Sequence, residues 1–257
     1  MTDQTTYSLF ARFYDAYVGD YDRDIPLYLE LAAACQLPIV EIGCGSGRVL
    51  LPLLRAGHTL TGVDISDEML LLAKAKLESA HLNEKCRLLH HNFVDGALPD
   101  RYGLALVTFY TFNYLLAQED QRALLRHIAD SLEPGARIGL HLFCPGILNK
   151  PEMAGQWIDK GKYRVGGEDV HLRDRRRMLD DCTEERIQVF TDGSGNREEI
   201  RSLRRYVTGT EMADLLVTAG FTSILVTRDF NLNSLIPIED DRDAPGEFLV
   251  VAERQRE

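Results

Sequence analysis

Residues 39–48 read Ile-Val-Glu-Ile-Gly-Cys-Gly-Ser-Gly-Arg, and the fold turns on how this stretch is taken. Ile39, Val40 and Ile42 are apolar and β-branched, the run is too short for a helix, and glycines punctuate its end, so it reads as a buried parallel strand. Glycines at alternate positions open φ regions closed to other residues and let a ligand approach the backbone closely. Val49-Leu50-Leu51-Pro52-Leu53-Leu54 then supplies a helix. Strand, glycine turn and helix together make a nucleotide-binding turn.

The pattern is G-x-G-x-G with Glu41 two residues ahead of the first glycine. The dinucleotide fingerprint is the longer G-x-G-x-x-G, which faces a pyrophosphate. A shorter turn with a carboxylate suits a ligand that has no phosphates and carries positive charge. Thr61-Gly62-Val63-Asp64-Ile65-Ser66 and Met69 follow at the second strand. On these residues the chain resembles the class I S-adenosylmethionine-dependent methyltransferases of small-molecule type.

The resemblance implies an α/β fold: a Rossmann-like, doubly wound seven-stranded sheet with a reversed last strand and an antiparallel β insertion after the fifth strand. It implies S-adenosyl-L-methionine as cofactor. Glu41 and the turn Gly43, Cys44, Gly45 and Gly47 would position the amino-acid portion, Asp64 with Ile65 the ribose, and Asn92-Phe93 the adenine. Phe109, at the end of the fourth strand, is a further expected cofactor contact. Asn92 stands where related enzymes usually carry an acidic residue, and its amide oxygen can still accept. Three positions keep two readings each: Met69 lies against adenine or fills the core, Arg48 assists at the cofactor carboxylate or sits on the surface, and Tyr14 packs or touches cofactor and substrate.

Tyr14 belongs to residues 7–21, YSLFARFYDAYVGDY, in which Phe10, Tyr14 and Tyr17 share a face if residues 8–17 are helical. Small-molecule members of the family fold a similar aromatic segment with a Tyr-Asp pair over the cofactor, which Tyr14-Asp15 matches. An N-terminal helical lid over about residues 1–35 is therefore expected within one domain spanning 1–257.

Further strands are expected at 59–63, 86–90, 104–109, 138–143, 223–227 and 247–252, and helices at 24–34, 119–131 and 208–219, the last capped by Thr208. After the fourth strand comes Tyr110-Thr111-Phe112-Asn113-Tyr114-Leu115, with no (Asn/Asp)-Pro-Pro-Tyr box of the kind that presents nucleobases or glutamine. This run is similar to those of small-molecule N- and O-methyltransferases, so Tyr110 and Asn113 are expected at the acceptor. Residues 145–206 are too long for a simple connection and contain a hairpin, 186–190 and 199–206, around Thr191-Asp192-Gly193-Ser194-Gly195-Asn196. Such insertions in the family roof the substrate site or make a dimer contact, which leaves a homodimer open. Arg173, Arg175, Arg176 and Arg177 precede the hairpin, either as a solvated face or, with Arg173 named for the role, as an anion reader. His141, near the carboxyl end of the fifth strand, is either a general base beside Tyr14 or a histidine satisfied within the sheet; alternation alone does not choose its face.

Composition narrows the field. Forty acidic against 29 basic side chains give a net charge of -11, which opposes binding to nucleic acid. Cys35, Cys44, Cys86, Cys144 and Cys182 form no C-x-x-C pair, so no metal is expected and free thiols point to a reducing, cytoplasmic setting. No signal segment or membrane span is read. The expected activity is methyl transfer to nitrogen or oxygen of a small-molecule acceptor. The rivals are a non-catalytic cofactor-binding protein of the same fold, and a nicotinamide-dependent oxidoreductase, which would need the longer turn.

Overall fold

The computed structural model describes residues 4–18, 21–144, 154–240 and 246–256. Two helices, α1 (Gln4–Val18) and α2 (Ile25–Ala33), precede the alternating part: β1 (Ile39–Ile42), α3 (Leu50–Arg55), β2 (Leu60–Asp64), α4 (Asp67–Ser79), β3 (Cys86–His90), β4 (Tyr102–Val107), α5 (Gln118–Ser131) and β5 (Leu132–Cys144). Four strands follow, β6 (Trp157–Val165), β7 (Glu168–Met178), β8 (Thr183–Thr191) and β9 (Arg197–Arg205). The chain ends with α6 (Gly209–Thr218), β10 (Phe221–Thr227), the short β11 (Ile236–Pro237) and β12 (Gly246–Arg254). No helix among the described residues is long and apolar enough to cross a membrane.

The main sheet runs β11-β10-β12-β5-β4-β1-β2-β3. Strands β1 to β5 are mutually parallel, and β12 is antiparallel to both β5 and β10. This is the expected doubly wound sheet with a reversed last strand; the eighth strand is the two-residue β11 at the edge. β1 is buried along its length, as a central parallel strand covered on both faces should be. Its alternation divides the interior. Val40 and Ile42 join the core under α5 and α6, whereas Ile39 joins the core under α2 and α3.

The insertion is a four-stranded antiparallel sheet, β6-β7-β8-β9, rather than a single hairpin. The β8–β9 hairpin falls where the Asp-Gly turn places it, with Val189 opposite Glu199. β6 and β7 lack an apolar alternation to betray them. β6 is largely exposed, and β7 buries Val170, Leu172 and Asp174 on one face, so an ion-paired aspartate stands where a hydrophobe would mark the strand. Residues 145–153, at the start of the expected insertion, lie outside the described residues.

α1 bridges the two sheets. Phe13 stacks on Phe190 of β8 with centroids 4.0 Å apart, and Asp15 accepts from Ser46 Oγ at 2.6 Å and pairs with Lys76 at 2.7 Å. The N-terminal helix is thereby tied to the glycine turn on one side and to the insertion on the other. Tyr14 and Tyr17 lie between these anchors; the Phe10 side chain lies outside the described residues.

Candidate active site

Three features place a cavity at the carboxyl edge of the main sheet. The glycine turn after β1 holds Gly43, Gly45 and Gly47 at φ +70°, +52° and +84°, a conformation that L side chains rarely adopt. A Cβ on Gly43 would lie 2.4 Å from the Thr111 methyl, so the turn and the segment after β4 fit only because that residue is glycine. At the end of β4, Phe109 and Tyr110 take successive positive φ values, +46° and +68°, which turns both rings toward the cavity at a cost in backbone strain. α1 and the insertion sheet form the other walls. The enclosed volume is about 750 Å³.

Tyr14, Gly43, Gly45, Asp64, Ile65, Met69, Asn92, Phe93, Phe109 and Tyr110 all line this cavity. The Tyr14 ring lies against Gly45, and burial pushes its phenol well above the ordinary value. Asp64 closes β2 with one oxygen accepting from Gly45 N at 2.8 Å and the other from Ser66 N at 3.0 Å. Burial holds its carboxyl above the ordinary range in spite of these donors. Ser66 caps α4 by accepting from Met69 N, which fixes Met69 at the wall. Asn92 uses its amide oxygen on Val94 N at 3.1 Å.

Other expected residues sit behind the wall. Glu41 is buried on the face of β1 shared with Ile39; one oxygen accepts from Thr108 at 2.7 Å and the other has no partner. Burial, opposed by Thr108 and Arg48, pushes this carboxyl up to about 8. Cys44 and Gly47 shape the turn without lining the cavity. Arg48 is neither a surface residue nor a wall residue: it makes a bidentate pair with buried Asp24, both contacts at 2.7 Å, and lies over the Phe109 and Tyr21 rings.

Three expectations about the reacting end are corrected. Leu140 and Leu142 face the core under α5 and α6, so alternation turns His141 to the α2 side, where it is fully buried. Its Nδ1 lies 3.2 Å from the Tyr28 hydroxyl and 3.4 Å from Asp24, its ring meets that of Tyr110 edge-on, and it does not line the cavity. Asn113 is buried as a clamp: it donates to Arg205 O at 2.9 Å and accepts from Phe143 N at 3.2 Å, pinning β5 to the end of β9. Arg173 stacks on Trp157 along with Arg175, on the face of β7 away from the cavity.

Glu247, Arg186 and Arg204, which the sequence did not single out, line the cavity together with Arg176 of the basic run. Glu247 opens β12, and because β12 is antiparallel to β5, with Gly246 opposite Cys144, that opening lies at the carboxyl edge. Glu247 accepts from Tyr21 at 2.8 Å and from Tyr110 at 2.5 Å. Its signal was one acidic residue heading the apolar run Phe-Leu-Val-Val-Ala at a reversed strand. Arg176, Arg186 and Arg204 line the cavity from β7, β8 and β9. Phase would have found Arg176, since it is the one member of the basic run even-numbered with Leu172 and Asp174.

The cofactor's fit can be judged from the turn and the two carboxylates. An open cradle that a Cβ would fill, a carboxylate at the end of β2 and a buried Glu41 oxygen lacking a donor suit a ligand with hydroxyls and positive charge. Fold and site together define a nucleotide-binding protein of the α/β type. Residues 39–135 match the family described as a methyltransferase domain. A protein of Geobacillus sp. (strain WCH70) named as a methyltransferase is 27% identical over 248 residues, 88% of this chain and 92% of its own. The CcbJ methyltransferase from Streptomyces caelestis shares the fold with a TM-score of 0.79 at 22% identity, over 99% of this chain and all of its own. An amino pentose methyltransferase from Micromonospora echinaspora, solved with S-adenosylmethionine bound, gives 0.70 at 19% identity over 96% and 97%. These likenesses are to S-adenosylmethionine-dependent methyltransferases, and they support S-adenosylmethionine as the cofactor.

Proposed function

We propose that this enzyme methylates an amine nitrogen of a small metabolite. The observation that carries the reading is Glu247, a carboxylate at the ligand edge framed by the Tyr21 and Tyr110 hydroxyls. An amine acceptor arrives at neutral pH as an ammonium, which a fixed negative charge attracts and holds; a neutral hydroxyl acceptor gains much less from it. The amino pentose substrate class of one structural relative supports the same choice.

Bound S-adenosylmethionine supplies an electrophilic methyl sulfonium. The chain's own work is then placement: the glycine turn and Asp64 hold the cofactor, with Glu41 acting on its charge from behind the wall, and Tyr14, Phe109 and Tyr110 shape a dry passage that aligns the acceptor lone pair. Glu247 holds the substrate ammonium and takes up its proton, directly or through a tyrosine hydroxyl, before attack.

Incubation with methyl-labelled S-adenosylmethionine and matched amines and alcohols tests this. Label in the amines supports it, and label only in the alcohols moves the reaction to oxygen. Tight cofactor binding with no transfer to any acceptor would favour the non-catalytic alternative.

A further inference from the structure

The cavity has two walls of opposite electrical character. Around Glu247 the phenols are held protonated: burial first, then Glu247, pushes Tyr21 and Tyr110 well above their ordinary values. On the insertion side the effect reverses. Tyr17 is buried, which raises its phenol, yet the Arg186 and Arg204 guanidiniums outweigh burial and leave it below its ordinary value.

The charges on that wall do not cancel. Arg176, Arg186 and Arg204 share it with the buried carboxylates Asp174 and Glu184. Asp174 is taken by Arg186, at 2.7 Å, with Arg176 at 3.5 Å. Glu184, directly across the strands from Arg204, turns instead to the Tyr206 hydroxyl at 2.5 Å and has Arg176 at 4.0 Å. Arg204 is left over. It is 5% exposed, its Nε has no hydrogen-bond partner, and among the described residues no carboxylate forms an ion pair with it; its guanidinium lies over the Tyr114 ring. A buried guanidinium with an open donor costs free energy unless an anion comes to it.

We infer that Arg204 binds a carboxylate of the methyl acceptor, so that the substrate is an amino acid or similar zwitterion, held by its ammonium at Glu247 and by its carboxylate at Arg204. The inference rests on the amine reading above and narrows it. A single excess positive charge matches a monoanion better than a doubly charged phosphate, and a guanidinium edge matches the plane of a carboxylate. Arg204 and Glu247 line the same cavity of about 750 Å³, a volume that takes one small molecule beside the cofactor turn. Ser202, one alternate position away on the same face of β9, supplies a hydroxyl beside it.

The probes are benzoate, benzamide and inorganic phosphate, titrated calorimetrically with and without S-adenosylhomocysteine. Benzoate is expected to bind at least about tenfold more tightly than benzamide, the usual worth of a charge-assisted hydrogen bond. Arg204→Gln should remove that preference without altering S-adenosylhomocysteine affinity, and Arg204→Lys should restore part of it. In turnover, L-phenylalanine should exceed phenethylamine in kcat/KM by at least about tenfold, a gap that closes in Arg204→Gln. Benzamide bound as tightly as benzoate, phosphate bound in preference to both, or an undiminished preference in Arg204→Gln would each overturn the inference. The wild-type comparison decides even if the variant fails to fold. Phenethylamine methylated as well as phenylalanine would sink the carboxylate subsite and leave amine methylation standing; failure to methylate either, with benzoate preference intact, would sink the amine reading and leave the subsite.

Discussion

Tyr110 donates its hydroxyl to Glu247 at 2.5 Å, joining the strained turn after β4 to the first residues of the reversed strand β12. The bond brings the sole cavity-lining carboxylate of β12 against a ring whose backbone is held at φ +68°. Strain at Tyr110 thus serves to place a charge.

Glu247→Gln keeps the size of the side chain and an acceptor for one of the two tyrosines while removing the charge. The kcat/KM for amine acceptors should fall by about 10²-fold or more, the range for losing a positioned proton acceptor. Cofactor affinity, measured by calorimetry, should not move. A change of only two- or threefold would take Glu247 out of the acceptor site.

Glu41 gives the cofactor site a pH dependence whose sign follows from burial. Its folded carboxyl, at about 8, lies above the ordinary 4.5, so its contribution to stability is fully present below pH 4.5 and is lost as pH rises through 8. Glu41→Gln should therefore flatten the decline in stability of the cofactor-free protein between those values, as followed by thermal denaturation. Above about pH 8, where Glu41 is ionised, the same substitution should weaken S-adenosylmethionine by about 1–3 kcal/mol, because it withdraws a charge from a cation. Wild-type affinity should climb as pH approaches 8 while the variant's stays level.

Asp24 and Arg48 behave in the opposite sense. Burial would raise the Asp24 carboxyl, but the Arg48 hydrogen bonds and His141 pull it down to about 2, below the ordinary 3.8. Its stabilisation is present above about pH 4 and lost as pH falls toward 2. Arg48→Met leaves Asp24 buried without its guanidinium and should cost about 3–5 kcal/mol in chemical denaturation at pH 7. The double variant Asp24→Asn, Arg48→Met should recover part of that loss.

Much of this architecture could be read before any coordinates, because the glycine turn, the alternating strands and Asp64 are local signals with one geometry each. What escaped was long-range or disguised by charge. Asp174 and Arg186 bury as a pair, so β7 and β8 read as more polar than they are packed. Glu247 reaches the cavity only through the reversal of β12, a topological fact absent from its neighbours in sequence. The phase of β7, invisible in the basic run itself, separates Arg176 in the wall from Arg173 on Trp157. Asn113 shows the converse: its place after β4 suggested the acceptor, whereas its amide is spent on β5 and β9.

His141 offers a clean test of position against role. It sits on the strand and at the height expected of a base, but it faces α2, with Nδ1 toward Tyr28 and Asp24 and its ring edge-on to Tyr110 at 4.7 Å. A group enclosed in this way acts on the reaction only by supporting the Tyr110 ring and the Asp24 carboxylate. His141→Gln should lower the stability of the fold by about 1–3 kcal/mol, the cost of disturbing a buried polar contact. Its kcat should change only a few-fold, and the acidic limb of the pH–rate profile should survive. A loss of 10²-fold or more in kcat together with that limb would mean that His141 takes the acceptor proton after all, through a path the buried ring does not now offer.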